Sequence, residues 1–164
     1  MVLMTEPAES DDDAVALAAS ISRVLGETSR IVAVAESLTS GSIASHLGAA
    51  DGSSSWFAGG VVAYSEQVKF SLLGVEPGPV ITARCAGQMA RGVADLTNAD
   101  AAVAVTGVGG PGPEEGEPAG TVFIAVHSPR GDRVERFHFD GEPADVVRLT
   151  TRTALRLLHA ELEL

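Results

Sequence analysis

Lysine is nearly missing from this chain. Of the eleven basic side chains in 164 residues, ten are arginines and one, Lys69, is a lysine. Tyrosine, tryptophan and cysteine also occur once each, as Tyr64, Trp56 and Cys85. A lone cysteine excludes an internal disulfide, and no apolar run is long enough to span a bilayer. There is no basic surplus either: the formal net charge is −11. That balance argues against nucleic acid and anionic membranes as partners, because nothing is left from which to build a phosphate-tracking stripe. The first residues, "MVLMTEPAESDDD", are acidic where a secretory signal would be basic and then apolar, so the expected setting is cytoplasmic.

What is present reads as one domain over residues 12–164 behind a loose tail, 1–11. "DDDAVALAASISRVLGE" reads as a helix with an acidic start suited to its dipole and an inward face of Val15, Ala18, Ile21, Val24 and Leu25. "RIVAVAES" is a short apolar run of the kind buried on both faces of a sheet, and "SGSIASHLGAA" follows as a helix. "GGVVAYS" reads as a second strand, "SEQVKFSLLGV" as a short helix, and "TARCAGQMARGVADLTNAD" as a longer one facing inward through Ala86, Met89, Ala90, Val93 and Leu96. "AAVAVTG" is the next strand. After the loop "GVGGPGPEEGEPAG", the segments "TVFIAVHS" and "DRVERFHFD" form an antiparallel hairpin about "PRG". A final amphipathic helix turns Val146, Val147, Thr150, Ala154, Leu157 and Leu158 inward. This alternation predicts an α/β fold, a three-layer α/β/α sandwich with a mostly parallel, mixed sheet. Ligands of such sheets sit at the carboxyl ends of the strands, where "AESLTSG", "AYSEQVK" and "TGVGGPGP" would meet.

Familiar motifs fail in turn. No Gly-Lys-Ser/Thr follows "TGVGGPGP", so it is no Walker loop, and "GSSSW" lacks the last glycine of a nucleophile elbow. His46, His127, His138 and His159 have no metal-binding spacing and Cys85 falls among core positions, so no metal and no cofactor are expected. A serine and an amine survive. Ser37 stands where a buried strand gives way to a helix, a place that exposes a hydroxyl and gathers backbone N–H groups; equally, Ser37, Thr39 or Ser40 could cap that helix. Lys69 is either a solvated residue of a short helix or an amine kept for chemistry. Ser65, four residues before Lys69, is a second candidate hydroxyl.

The blocks "VAESLTSGSIASHL", "GSSSWFAGGVVAYSEQVKFSLLGV" and "AVAVTGVGGPGP" with "EPAGTVFIAV" resemble the CinA C-terminal domain family, and the similarity runs from about residue 12 to residue 160. Active members of that family are nicotinamide-nucleotide amidohydrolases of the PncC type. The resemblance implies an α/β/α fold, a homo-oligomer (a dimer or higher), a small-molecule nucleotide substrate, and conversion of nicotinamide mononucleotide to nicotinate mononucleotide and ammonia. It implies Ser37 as nucleophile with Tyr64 and Lys69 beside it, Lys69 acting as the base. Around the substrate, Glu36, Thr39, Ser40 and Gly41 are expected from the first turn. Thr106, Gly107, Gly109 and Gly110 are expected from the glycine-rich loop, where consecutive glycines let backbone N–H groups approach an anion. Arg148, first of a stripe with Arg152 and Arg156, is the candidate phosphate partner.

The chain departs from the family pattern twice. Leu38, Thr39, Ser40 and Gly41 replace the usual Cys-Thr-Gly-Gly, and Gly141–Pro143 replaces a common Gly-Asp-Arg before the last helix. Both leave room for an alternative, a non-catalytic nucleotide-binding or regulatory domain of the same fold. Catalysis by Lys69 requires the neutral amine, hence a pKa about three units below the reference value of about 10.4. Tyr64 could orient the amine or the serine hydroxyl, stack on a pyridine ring, or be a core aromatic.

Overall fold

The computed structural model describes residues 11–164; most of the expected tail lies outside them, and Asp11 already belongs to the first helix. Along the chain come α1 (Asp11–Gly26), β1 (Val32–Glu36), α2 (Ser42–Ala49), a 3-10 turn (Ser53–Ser55), β2 (Phe57–Val62), α3 (Glu66–Ser71) and α4 (Ala83–Thr97). Strands β3 (Ala101–Gly107), β4 (Thr121–Ser128) and β5 (Gly131–His138) follow, then α5 (Pro143–Leu162). The sheet order is β2-β1-β3-β4-β5. Strand β1 is parallel to both neighbours, whereas β3/β4 and β4/β5 are antiparallel, so the parallel half of the mixed sheet carries the turns of interest.

Two cores flank the sheet. Because side chains alternate along a strand, Val32 and Val34 of β1 join Ile21, Ile43, Leu155 and Leu158 on the face covered by α1, α2 and α5. Ala33 and Ala35 join Cys85, Ala86, Met89 and Val93 on the face covered by α4. The small alanines on that second face let α4 lie close. Glycine serves the same end between β1 and β2: a Cβ on Gly60 would sit 2.2 Å from the Val34 carbonyl oxygen. Ala58 is bulged out of the β1/β2 ladder, since Val32 pairs with Phe57 and Ala33 with Gly59.

Caps define the helix ends. The Thr82 hydroxyl accepts from Cys85 N at the start of α4, which ends at Asn98 in the left-handed conformation. Pro143 opens α5, where the Asp145 carboxylate accepts from Glu142 N. Some expected faces need correcting. Val15 is 60% exposed and Ala14 takes its place against the core, giving α1 an inward stripe of Ala14, Ala18, Ile21 and Leu25. Leu96 is exposed because α4 turns it away from the sheet in its last turn, and Val147 and Leu157 are half-buried. Strand β2 starts at Phe57 and stops at Val62, short of the expected Ser65, because Ser65 caps α3.

Candidate active site

The parity of β1 builds the site. Glu36 ends the strand on the α2 face, and Ser37, one residue on, points to the α4 face. Each then finds a different partner. The buried Glu36 carboxylate accepts from Ile43 N and Ala44 N, both at 3.0 Å, and so supplies the N-terminal cap of α2. Two expectations are corrected here. Neither Ser37, Thr39 nor Ser40 caps this helix through its side chain: Gly41 occupies the N-cap position. Glu36, expected around the substrate, has both carboxylate oxygens taken up by the first turn of α2.

The main-chain carbonyl of Glu36 accepts from Ala63 N at 2.7 Å, extending the β1/β2 pairing by one step and fixing the end of β2 beside Ser37. From there the chain turns into α3, whose N-cap is Ser65, its hydroxyl accepting from Val68 N at 3.3 Å. The competing candidate hydroxyl is thus a cap. One turn into α3, Lys69 reaches back under the turn: Nζ lies 3.0 Å from Ser37 Oγ, 2.7 Å from the Ala63 carbonyl and 3.5 Å from the Tyr64 carbonyl. Lys69 is 2% exposed and Ser37 8% exposed.

Burial pushes the Lys69 ammonium below its ordinary pKa; Cys85, Glu66, Glu115 and Glu114 pull it partly back up. The three oxygens around Nζ match the three N–H bonds of an ammonium, and they also accommodate the neutral amine. Its two N–H bonds have the Ala63 and Tyr64 carbonyls to donate to, which leaves the lone pair for the Ser37 hydroxyl. Among the described residues no carboxylate pairs directly with Lys69. The nearby Cys85 thiol is itself pushed up to about 11 by burial, against the pull of Lys69 and Arg84.

Tyr64 meets the lysine through its main chain. Its phenol is 68% exposed, so it is not a core aromatic and stands at the surface beside the site. Ser40 and Gly41 both have positive φ, 51° and 99°, and the turn is tied by Ser40 N donating to the Ser37 carbonyl and Ser42 N to that of Thr39. A serine in a left-handed position costs more than the glycine of the family pattern. Thr39 is buried, and its Oγ1 has no hydrogen-bond partner among the described residues.

The glycine-rich loop reaches the same place. A Cβ on Gly109 would touch Leu38 Cβ at 3.9 Å, and Gly110, at φ 88°, lies against Ala119 and Pro143. Thr106 is corrected: its buried hydroxyl donates to the Val80 carbonyl at 2.8 Å and is not turned to a ligand. Gly107 is a packing requirement, because a Cβ there would lie 2.4 Å from the Thr121 carbonyl. The stretch "PEEGEP" is pinned, since the Glu115 carboxylate accepts from Val80 N and Ile81 N. Arg148 is half-buried on α5, 3.5 Å from Asp145. It lies between Pro143, which a Cβ on Gly110 would meet at 4.0 Å, and Thr151, whose hydroxyl donates to the Val147 carbonyl and accepts from Ser42 Oγ at 3.0 Å. That stretch of α5 borders both loops.

Sequence reasoning missed Glu115 and the Ala63 carbonyl. A run of loop glutamates carries no mark of which one folds back, and a main-chain acceptor has no residue type to find it by.

Fold and geometry together define an α/β/α domain that holds a buried serine–lysine pair at the carboxyl end of its parallel strands. The chain belongs to the CinA C-terminal domain family, whose model matches residues 14–162. It is 41% identical over 162 residues to a CinA-like protein of Thermosynechococcus vestitus, covering 93% of this chain and 38% of the relative, so the chain spans well under half the length of that longer protein. Among solved structures, the competence damage-inducible protein A (ComA) of Klebsiella pneumoniae superposes with a TM-score of 0.87 at 32% identity, over 92% of this chain and 97% of that one. The competence/damage inducible protein CihA of Agrobacterium tumefaciens superposes at 0.84 and 31% identity over the whole of both chains. Among the described residues no helix is long and apolar enough to cross a membrane.

Proposed function

We propose that this domain hydrolyses the carboxamide of nicotinamide mononucleotide, giving nicotinate mononucleotide and ammonia. The observation that carries the reading is the 3.0 Å approach of Ser37 Oγ to a buried lysine that is held by carbonyls and, among the described residues, by no carboxylate. Ser37 Oγ bonds to the carbonyl carbon while its proton passes to Lys69 Nζ. The tetrahedral intermediate then collapses: the C–N bond breaks and Lys69 returns the proton to the departing ammonia. Water attacks the resulting ester, again losing a proton to Lys69, and the C–O bond breaks to restore the serine hydroxyl.

Charge on the tetrahedral oxygen needs donors. The N-terminal N–H groups of α2 already serve Glu36, so the donors for the oxyanion come from the backbone of the turn after Ser37 and from Gly109 and Gly110. The exposed Tyr64 ring is available to stack on the pyridine, and Arg148 is the cation bordering both loops to meet the phosphate.

The filled helix terminus favours one second reading, a nucleotide-binding domain without turnover. Ammonia release from nicotinamide mononucleotide, measured for wild type, Ser37→Ala and Lys69→Ala with calorimetric binding alongside, separates the two. Turnover by wild type with a loss of about 10³-fold or more in either variant supports the amidase. Binding without ammonia establishes the other reading, and full activity in Ser37→Ala removes the serine from the chemistry.

A further inference from the structure

We propose that Glu115 is a positioning residue for this site: its carboxylate straps the glycine-rich loop to the peptide groups of Val80 and Ile81, closing the wall that keeps Lys69 dry. The inference rests on the reading of Lys69 as the base. Both carboxylate oxygens lie 3.0 Å from Val80 N, and one lies 2.7 Å from Ile81 N. A carboxylate on two successive N–H groups is a charge-assisted clasp, stronger than the neutral turn hydrogen bonds around it.

Glu115 adopts φ 51°, a conformation that L residues avoid, although Gly116 beside it could turn the chain alone. Strain at a non-glycine residue persists where the surroundings hold it, and here the clasp does so. Its far end is also gripped, since Thr106 Oγ1 donates to the Val80 carbonyl. The Val80 peptide is therefore held on both sides, one hold from β3 and one from the loop.

That peptide belongs to the buried layer the amine reaches, since Nζ bonds the carbonyl of Ala63, a member of the same cluster. Val80 and Ile81 pack in one buried cluster with Ala63, Leu73, Val75 and Cys85. Val75 N donates to the Lys69 carbonyl at 3.1 Å, and Ile81 leads directly into Thr82, the cap of α4. Ser37 from the β1 turn bonds the amine, and the charges that act on it come from Cys85 of α4, Glu66 of α3, and Glu115 and Glu114 of the loop. Glu115 thus acts on Lys69 in two opposed ways. Its charge favours the ammonium, while the wall it closes disfavours it.

The two actions give opposite signs, which makes the proposal testable. As the sole lysine, Lys69 gives a single side-chain resonance in protein labelled with [13Cε]lysine, so its titration can be followed directly and without substrate. In Glu115→Ala the wall opens, and the midpoint is expected to rise by about one pH unit or more toward the ordinary lysine value. Glu115→Gln, which keeps one acceptor, is expected to titrate below Glu115→Ala. Amide exchange at Val80 and Ile81 should quicken about tenfold or more in both variants.

A midpoint in Glu115→Ala that is unchanged or lower than wild type overturns the strap, because removal of charge alone lowers it. If Glu115→Ala does not fold, exchange at Val80 and Ile81 in Glu115→Gln decides: quickened exchange supports the clasp, unchanged exchange overturns it. Should Lys69 titrate at its ordinary value in the wild type, the base reading fails and this inference with it. A depressed wild-type midpoint with no response to Glu115→Ala defeats the strap alone.

Discussion

Two serines in this domain sit beside buried charged residues, at opposite ends of the sheet, and they are built differently. Ser37 meets Lys69, surrounded by carbonyls. Ser128, at the end of β4, donates to Glu161 Oε1 at 2.6 Å, and Glu161 also has the Arg130 guanidinium 3.5 Å away. Arg130 N donates in turn to Ser128 Oγ. At that end each group has a partner suited to its charged form, and the cluster ties the β4/β5 turn to the end of α5. At the other end the amine meets one hydroxyl and two carbonyls, and no carboxylate among the described residues. A buried ion with a counter-charge is architecture; under the proposed function, a buried amine without one is held ready to take a proton.

The largest effect is expected from Lys69→Met. It should abolish ammonia release to about 10³-fold below wild type and yet raise the melting temperature at neutral pH, since it replaces a buried amine by a side chain that needs no hydration. The pH dependence follows from linkage. The folded pKa of Lys69 lies below its unfolded value, so between the two the unfolded chain binds more protons and stability increases with pH. In the wild type the burial penalty is thus largest below the folded pKa and vanishes as pH rises through the unfolded value. Denaturant melts of wild type and Lys69→Met across pH 6–10.5 should therefore converge at the alkaline end. A gap independent of pH would show that the lysine titrates normally. Activity should climb with pH through the depressed pKa, as neutral amine accumulates.

Glu161→Ala should do the reverse. It leaves Ser128 and Arg130 without their acceptor and is expected to cost about 1–3 kcal/mol in a urea melt while specific activity holds. A loss of activity per folded molecule would show that the two ends are coupled. Ser40→Gly is the smallest change: it relieves a left-handed serine and should stabilise by about 1 kcal/mol. If stability fell instead, the Ser40 side chain would have a use its geometry does not reveal.

The layers of the fold were legible because patterning speaks directly to burial. The apolar run at β1, the glycines that end β3 and the hairpin about Pro129–Gly131 each follow from one residue's demand on its neighbours. The pairing of Ser37 with Lys69 was legible from scarcity and family pattern, since a chain with one lysine has one amine to place. What stayed hidden was set by direction. Glu36 and Ser37 are adjacent in sequence, and both read as site residues until strand alternation sends them to opposite layers. Thr106 looked equally available, until the close passage of the 78–81 segment gave its hydroxyl a carbonyl. Tyr64 contributes its main chain to the lysine, a role no side-chain pattern records.

That same alternation exposes the arrangement to a kind of damage that point substitution cannot inflict. Loss of one residue within β1, with its hydrogen-bonded ladder otherwise kept, would swing the carboxylate across to the amine and carry the hydroxyl under the neighbouring helix. The domain would then own a conventional ion pair in place of the serine–lysine hydrogen bond, and α2 would lose the anion that seats its first turn. Chemistry and helix anchorage are written into consecutive codons of one strand, and neither can be re-aimed without the other.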